Sequence, residues 1–226
     1  MAGSRAAAGR PAVEVLPVTG SPCPPLTRDE RAAIAVAIAR AESATSGEIV
    51  VIVAARSGLY RSAAPVLALF AGLAAPWPLI GFTTLSAATI AAIQAAVALA
   101  ALLVGLDPRL RIRLVPPAIR RDRVREAACR EFGARGLIGT QARTGVLIYL
   151  ALAEHHAEIV ADAAVRARVS DATWTAILSD LATAAGRGEL GPGLVVAVAR
   201  VGAVLAVELP AGPNRNELPN RVIVLD

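Results

Sequence analysis

SAAPVLALFAGLAAPWPLIGFTTLSAATIAAIQAAVALAALLVGL, residues 62–106, contains no Asp, Glu, Lys, Arg or His. A bilayer core of about 30 Å takes about 20 apolar residues per helix, so this run suits two spans and a turn. The natural division is 62–82, a connection at 83–86, and 87–106. The connection is uncharged and too short to hold a domain, which predicts a transmembrane hairpin with both ends on one face of the membrane. Pro76-Trp77-Pro78 lies late in the first span. Proline removes an amide donor and kinks a helix, and membrane helices tolerate this where neighbours satisfy the freed carbonyls. Trp77 would otherwise mark the far interface. A buried hairpin in a soluble protein is the competing reading; it is disfavoured because globular helices of this length carry a charged face.

Small residues recur in the second span. Ala87, Ala91 and Ala95 form one ladder, and Ala88, Ala92 and Ala96 another. Four-residue spacing places each on one helix face, where small side chains allow close approach. They are expected to pack on Ala71, Gly72 and Ala75 of the first span; packing between protomers would use the same feature. Gln94 suits an interhelical hydrogen bond better than a transport pathway, since pathways bury ionisable groups or broken helices near the midplane.

Outside the hairpin, the 226-residue chain leaves enough for one modest soluble domain. The net charge is +5, and all 23 basic residues are arginine. Missing lysine fits a GC-rich genome. The arginines cluster beside the apolar run, and aromatics make up only 3% of the chain, so nucleic-acid binding by base stacking is not expected. Cys23 and Cys129 are read as free thiols. Residues 1–30 hold no apolar run of signal-peptide length, so the hairpin itself is expected to target the chain.

Residues 1–25, rich in Ala, Gly and Pro, read as a flexible tail. Thr27 and Glu30 fit a capping box that opens a helix with Ile34, Ile38 and Ala41 on its apolar stripe. EIVVIVAA at 48–55 reads as a buried central strand. Beyond the hairpin come Arg109, Arg111 and Arg113. A helix is expected over 119–134 on Val124, Ala128 and Phe132, with Gly136 ending it. Residues 144–151 read as a second buried strand beside the first. Residues 156–162 read as a partly exposed third strand, in a hairpin with the second through a turn at Glu154-His155. Ser170 or Asp171 caps a helix bearing Trp174, Ile177, Leu178 and Leu181. A last helix is expected over 194–209, too short and too charged at Arg200 for a clean span. The domain is thus discontinuous, 26–60 with 107–210, around the hairpin at 61–106, followed by a tail at 211–226.

Thr45-Ser46-Gly47-Glu48-Ile49-Val50-Val51, a helix ending in Phe132-Gly133, then Gly145-Val146-Leu147-Ile148, Glu158-Ile159 and Ser170-Asp171 resemble, in order and spacing, the TPM domain. That family is named from a thylakoid lumen protein, a photosystem II repair protein and a nematode receptor modulator. The resemblance spans Leu26–Tyr60 and about Arg120–Leu209. An inserted hairpin is similar to a bacterial membrane-bound subgroup. The resemblance implies an α/β fold, a small mixed sheet flanked by helices, here interrupted by the transmembrane hairpin. It also implies phosphatase activity in part of the family, divalent-ion binding, and roles in assembling or repairing membrane complexes.

The family's acidic pocket is poorly kept. Its Asp-Asn-Gly reads Arg143-Thr144-Gly145, and its Gly-Tyr-Gly-Leu-Glu reads Ala161-Asp162-Ala163-Ala164-Val165; only Asp171 matches. A hard cation needs several oxygen ligands, so no catalytic, cofactor-binding or metal residue is assigned and no cofactor is expected. Glu158, Asp162 and Asp171 are the best remaining acidic cluster, more simply read as a strand-edge charge, a strand end and a helix cap. His155 and His156 point to opposite faces if extended. Arg143 beside Thr144 reads as a surface ion-pair residue. The expectation is a multi-pass protein of the bacterial inner membrane with a cytoplasmic TPM-like domain. It would serve as a non-enzymatic accessory factor with an unidentified membrane-protein partner; a diverged metal-dependent phosphatase is the alternative.

Overall fold

The computed structural model describes residues 12–14, 26–58, 60, 62–137, 143–212 and 222–225. Three residues from the stretch that composition assigns to a tail, Ala12–Glu14, form strand β1. Helix α1, Arg28–Glu42, follows. The Oγ1 of Thr27 accepts the Glu30 amide at 3.2 Å, and the Glu30 carboxylate accepts the Thr27 amide at 2.8 Å. This is the expected capping box, and it satisfies two amides that no turn precedes. Ile34, Ile38 and Ala41 are buried, as their spacing requires.

Strand β2 is Glu48–Ala54, with all seven residues buried. After the second unit described below come α6 at Pro117–Ala134, β3 at Gly145–Ala151 and β4 at His156–Ala161. The single turn α7 at Ala163–Arg166, α8 at Asp171–Gly186, α9 at Leu190–Glu208 and β5 at Val222–Leu225 complete the order. The sheet runs β1-β4-β3-β2-β5. β2 pairs in parallel with β3, Glu48 opposite Gly145 through Ala54 opposite Ala151, and in parallel with β5. β4 is antiparallel to β3 and to β1.

Alternation along the strands sorts the core into two layers. Ile49, Val51, Val53, Val146, Ile148 and Leu150 join buried residues of α1, α8 and α9. Val50, Ile52, Leu147, Tyr149 and Val160 join Val124, Ala127, Ala128 and Phe132 of α6. Each fully buried Ile, Leu or Val contributes about 1.5–3 kcal/mol over exposure. Helices on both faces explain why the central strands read as continuous apolar runs.

The third strand is not partly exposed: every residue of β4 is buried. Ala157, Ile159 and Ala161 join one core layer and Val160 the other, so the alternation of His156 and Glu158 with apolar residues does not mark a wet face. The 211–226 tail is likewise not free of the sheet, because Val222–Leu225 pairs with β2. The last helix begins at Leu190 rather than 194. Pro192 falls in its first turn, where no amide partner is lost. Gly202 permits its crossing with α1: a Cβ there would lie 2.5 Å from that of Ala41. The helix is long and apolar enough to cross a membrane, yet Leu194, Val198, Val201 and Leu205 are fully buried in the core.

Residues 58–120 form a separate compact unit, apart from 1–57 with 121–226. In it α2, Ala63–Ala74, and α3, Pro76–Phe82, precede α4, Ala87–Leu106, and α5, Pro108–Leu114. The first helix breaks at Ala75, just before Pro76 and Pro78. Ser86 caps α4, its hydroxyl accepting the Thr89 amide at 3.2 Å. The helices meet where Gly72 faces Ala98, with 3.1 Å between an added Cβ and the alanine's, and where Gly105 lies against Ala64 at 2.5 Å. The two alanine ladders do not form this contact: Ala87, Ala91, Ala95, Ala88, Ala92 and Ala96 are all exposed. The inward face of α4 is Ile90, Ile93, Gln94, Ala98, Ala101 and Gly105, because glycine on each helix, at 72 and 105, brings the backbones closest there. On α2 the expected positions Ala71, Gly72 and Ala75 are buried or half-buried.

Candidate functional site

The N-terminal ends of β2 and β3 and the C-terminal end of β4 meet at one end of the sheet, where the family pocket is expected. Thr144 is buried and donates its hydroxyl to the Ser46 carbonyl at 2.8 Å. The Asp162 amide donates to the Gly145 carbonyl at 2.9 Å. One carboxylate oxygen of Asp162 accepts the Ala163 amide at 2.6 Å, capping α7. Its other oxygen is buried with no hydrogen-bond partner. Arg143 is exposed and holds φ +52°, a left-handed conformation that costs energy in a residue with a Cβ.

Glu158 and Asp171 do not converge on Asp162. Glu158 lies four residues before Asp162, about 13 Å along the strand. Asp171 is exposed in the first turn of α8, after Ser170 at the cap position. There its charge favours the positive end of the helix. Among the described residues, no three His, Cys, Asp or Glu side chains are grouped to hold a metal ion. Cys129 is exposed on α6, and Cys23 lies outside the described residues.

The side chains brought together are others. Glu158, fully buried, is no strand-edge charge: its carboxylate lies 3.7 Å from Nε2 of His156, which is 2% exposed. Neither Glu158 oxygen nor that nitrogen has a hydrogen-bond partner. Tyr149 stands directly across from Glu158 on β3. Burial, then the nearby charges of Glu154 and Glu131, push its phenol up to about 12. Glu154 is buried in the β3–β4 turn and accepts the Ser57 amide at 2.9 Å and hydroxyl at 2.7 Å. The i, i+2 spacing of His156 and Glu158 places them on one strand face; nothing local signals that Tyr149, Glu154 and Ser57 join them. His155, at φ +51°, turns the chain between the strands. Tyr149, Glu154, His156 and Glu158 are buried, and Ser57 is half-buried at the margin of the cluster.

A shallow groove between α8 and α9 carries two ion pairs. Arg187 pairs with Glu189 at 2.9 Å, and Arg200 pairs with Asp180. These pairs neutralise one another and leave no lone ion to recognise a ligand.

A mixed sheet between α6 on one face and α1, α8 and α9 on the other, with a helical hairpin inserted after β2, defines an α/β sandwich. The chain belongs to the TPM domain family, whose model matches residues 83–204. The matched span takes in α4 and leaves out α1 and β2. Among solved structures, the fold is similar to the NMR structure of the BA42 protein from the psychrophilic bacterium Bizionia argentinensis, at TM-score 0.56 and 22% identity, covering 88% of this chain and 94% of that one. None of the curated proteins matches.

Proposed function

We propose that this is a multi-pass inner-membrane protein whose hairpin anchors a cytoplasmic TPM domain. The domain acts as a non-enzymatic interaction module for a membrane protein complex. The observation that carries the anchor is α4: of its 20 residues only Gly105 is buried. An apolar surface of that extent is unfavourable in water and at home in lipid. Trp77 and Phe82, both highly exposed near the closed end of the hairpin, suit the interface. Arg56 precedes the hairpin, and Arg111, Arg113, Arg120 and Arg121 follow it, while the 83–86 connection is uncharged. Arginine-rich flanks stay inside.

Exposed Cys129 is the reporter. With Cys23→Ser, a membrane-impermeant maleimide is expected to label Cys129 only after lysis; labelling of intact cells overturns the orientation. Release of the chain from membranes by alkaline carbonate would overturn the anchor itself.

The second reading is a diverged metal-dependent phosphatase, favoured by the partnerless buried oxygen of Asp162. Turnover of a phosphate ester with Mg²⁺, Mn²⁺ or Ca²⁺, abolished by Asp162→Ala, would replace the non-enzymatic reading.

A further inference from the structure

After α4, the chain continues without a loop into α5, which packs back on both α2 and α4. Those contacts fall at the open end of the hairpin, where α2 begins and α4 ends. The sequence offers a row of arginines here, but the structure shows that they are not equivalent. Arg111 turns inward: its Nε donates to the Gly105 carbonyl at 2.9 Å and a terminal nitrogen donates to the Leu106 carbonyl at 3.0 Å. It caps the negative end of α4 and is spent on that task.

Arg113 is exposed and Arg120 half-exposed. Neither has a carboxylate or carbonyl acceptor for its guanidinium among the described residues, and the Nε of Arg120 is sheltered from solvent without a partner. Leu110, Leu114 and Ile119, 40–48% exposed, sit beside them. The only acidic residue between positions 58 and 121 is Asp107. Arginines interleaved with exposed aliphatic residues, continuous with an apolar helix end, are the chemistry of the headgroup layer.

We propose that the α5–α6 junction is a lipid-selective surface: Leu110, Leu114 and Ile119 enter the acyl boundary while Arg113 and Arg120 bind the phosphates of anionic phospholipids. This rests on the hairpin reading. Guanidinium and phosphate form charge-assisted, geometrically matched hydrogen bonds, and a basic residue at an anionic surface favours that lipid by roughly five-fold.

The test uses the full chain in vesicles of phosphatidylcholine with about one phosphatidylglycerol in five lipids, and spin-labelled versions of each lipid. Any protein that spans the bilayer slows the lipids that touch it, so a motionally restricted signal reports the anchor. The ratio of that signal for the two lipids reports selectivity. The expected result is a preference for phosphatidylglycerol of about two- to five-fold, lost in Arg113→Gln/Arg120→Gln and lost in high salt. A restricted signal with equal weight for both lipids, or a preference that the double variant or salt leaves unchanged, overturns the proposal and leaves the anchor standing. No restricted signal for either lipid overturns both. Circular dichroism of the double variant is expected to match the parent, because neither guanidinium has a hydrogen-bond acceptor among the described residues.

Discussion

Tyr149 shows how one buried hydroxyl sets a pH limit. Its phenol ionises near pH 10 when unfolded and is raised to about 12 in the fold. A raised pKa means that the folded state keeps its proton while the unfolded state loses it. Stability is therefore intact below about pH 10 and falls as pH rises toward 12. Tyr149→Phe is expected to flatten this alkaline loss, read as urea midpoints between pH 9 and 11.5. An unchanged alkaline slope would refute the assignment. Glu30 works in the opposite direction. Hydrogen bonds from Thr27 hold its carboxyl below the usual range, so its contribution is present above the unfolded value of 4.5 and is lost on acidification. The capping box is legible from Thr27 and Glu30 alone because its partners are three residues apart. The His156–Glu158–Tyr149 cluster is only half legible, because Tyr149 reaches it through strand register.

Elements differ in the same way. α1, β2, β3, α8 and the hairpin helices carry their own periodicity or apolar length, and they lie where those patterns place them. β1 and β5 have three and four residues, too few for a period; their partners β4 and β2 create them. β4 is buried on both faces, Ala157, Ile159 and Ala161 in one core layer and Val160 in the other, so its burial too escapes a local reading. Among helix contacts in the unit that holds the sheet, Gly202 is the tightest that backbone spacing alone decides. Gly202→Leu would drive its side chain into Ala41 and the α1 backbone, with Cα of Ala41 only 3.1 Å from the added Cβ. A loss of about 2 kcal/mol or more is expected, seen as a lower thermal midpoint, whereas Ala203→Leu on the exposed side of the same helix should change little. Equal effects of the two would show that the crossing tolerates strain.

For the whole molecule, the proposed orientation rests on the charge difference between the two ends of the hairpin. Moving that difference should move the domain. Thr84→Arg with Leu85→Arg, combined with Arg56→Gln, Arg113→Gln and Arg120→Gln, is expected to expose Cys129 to an impermeant maleimide in a fraction of intact cells. Complete protection in that variant would mean that something other than flanking charge fixes the orientation. Two acidic positions of the resemblance read Arg143 and Val165 in this chain, so the activity of relatives does not transfer to it by fold alone.

The parallel pairing of β2 with β3 has a consequence in time. β2 is complete at residue 54, and its first partner begins at residue 145. At roughly 5–20 residues per second, a ribosome needs about 5–18 seconds to make the intervening chain. Throughout that interval Ile49-Val50-Val51-Ile52-Val53 has neither neighbour in the sheet. The hairpin is synthesised within the same interval. On the proposed membrane anchor, capture of the hairpin by the insertion machinery would hold β2 close to the bilayer, as a tethered strand waiting for its partner, and keep it from meeting the same strand on another nascent chain.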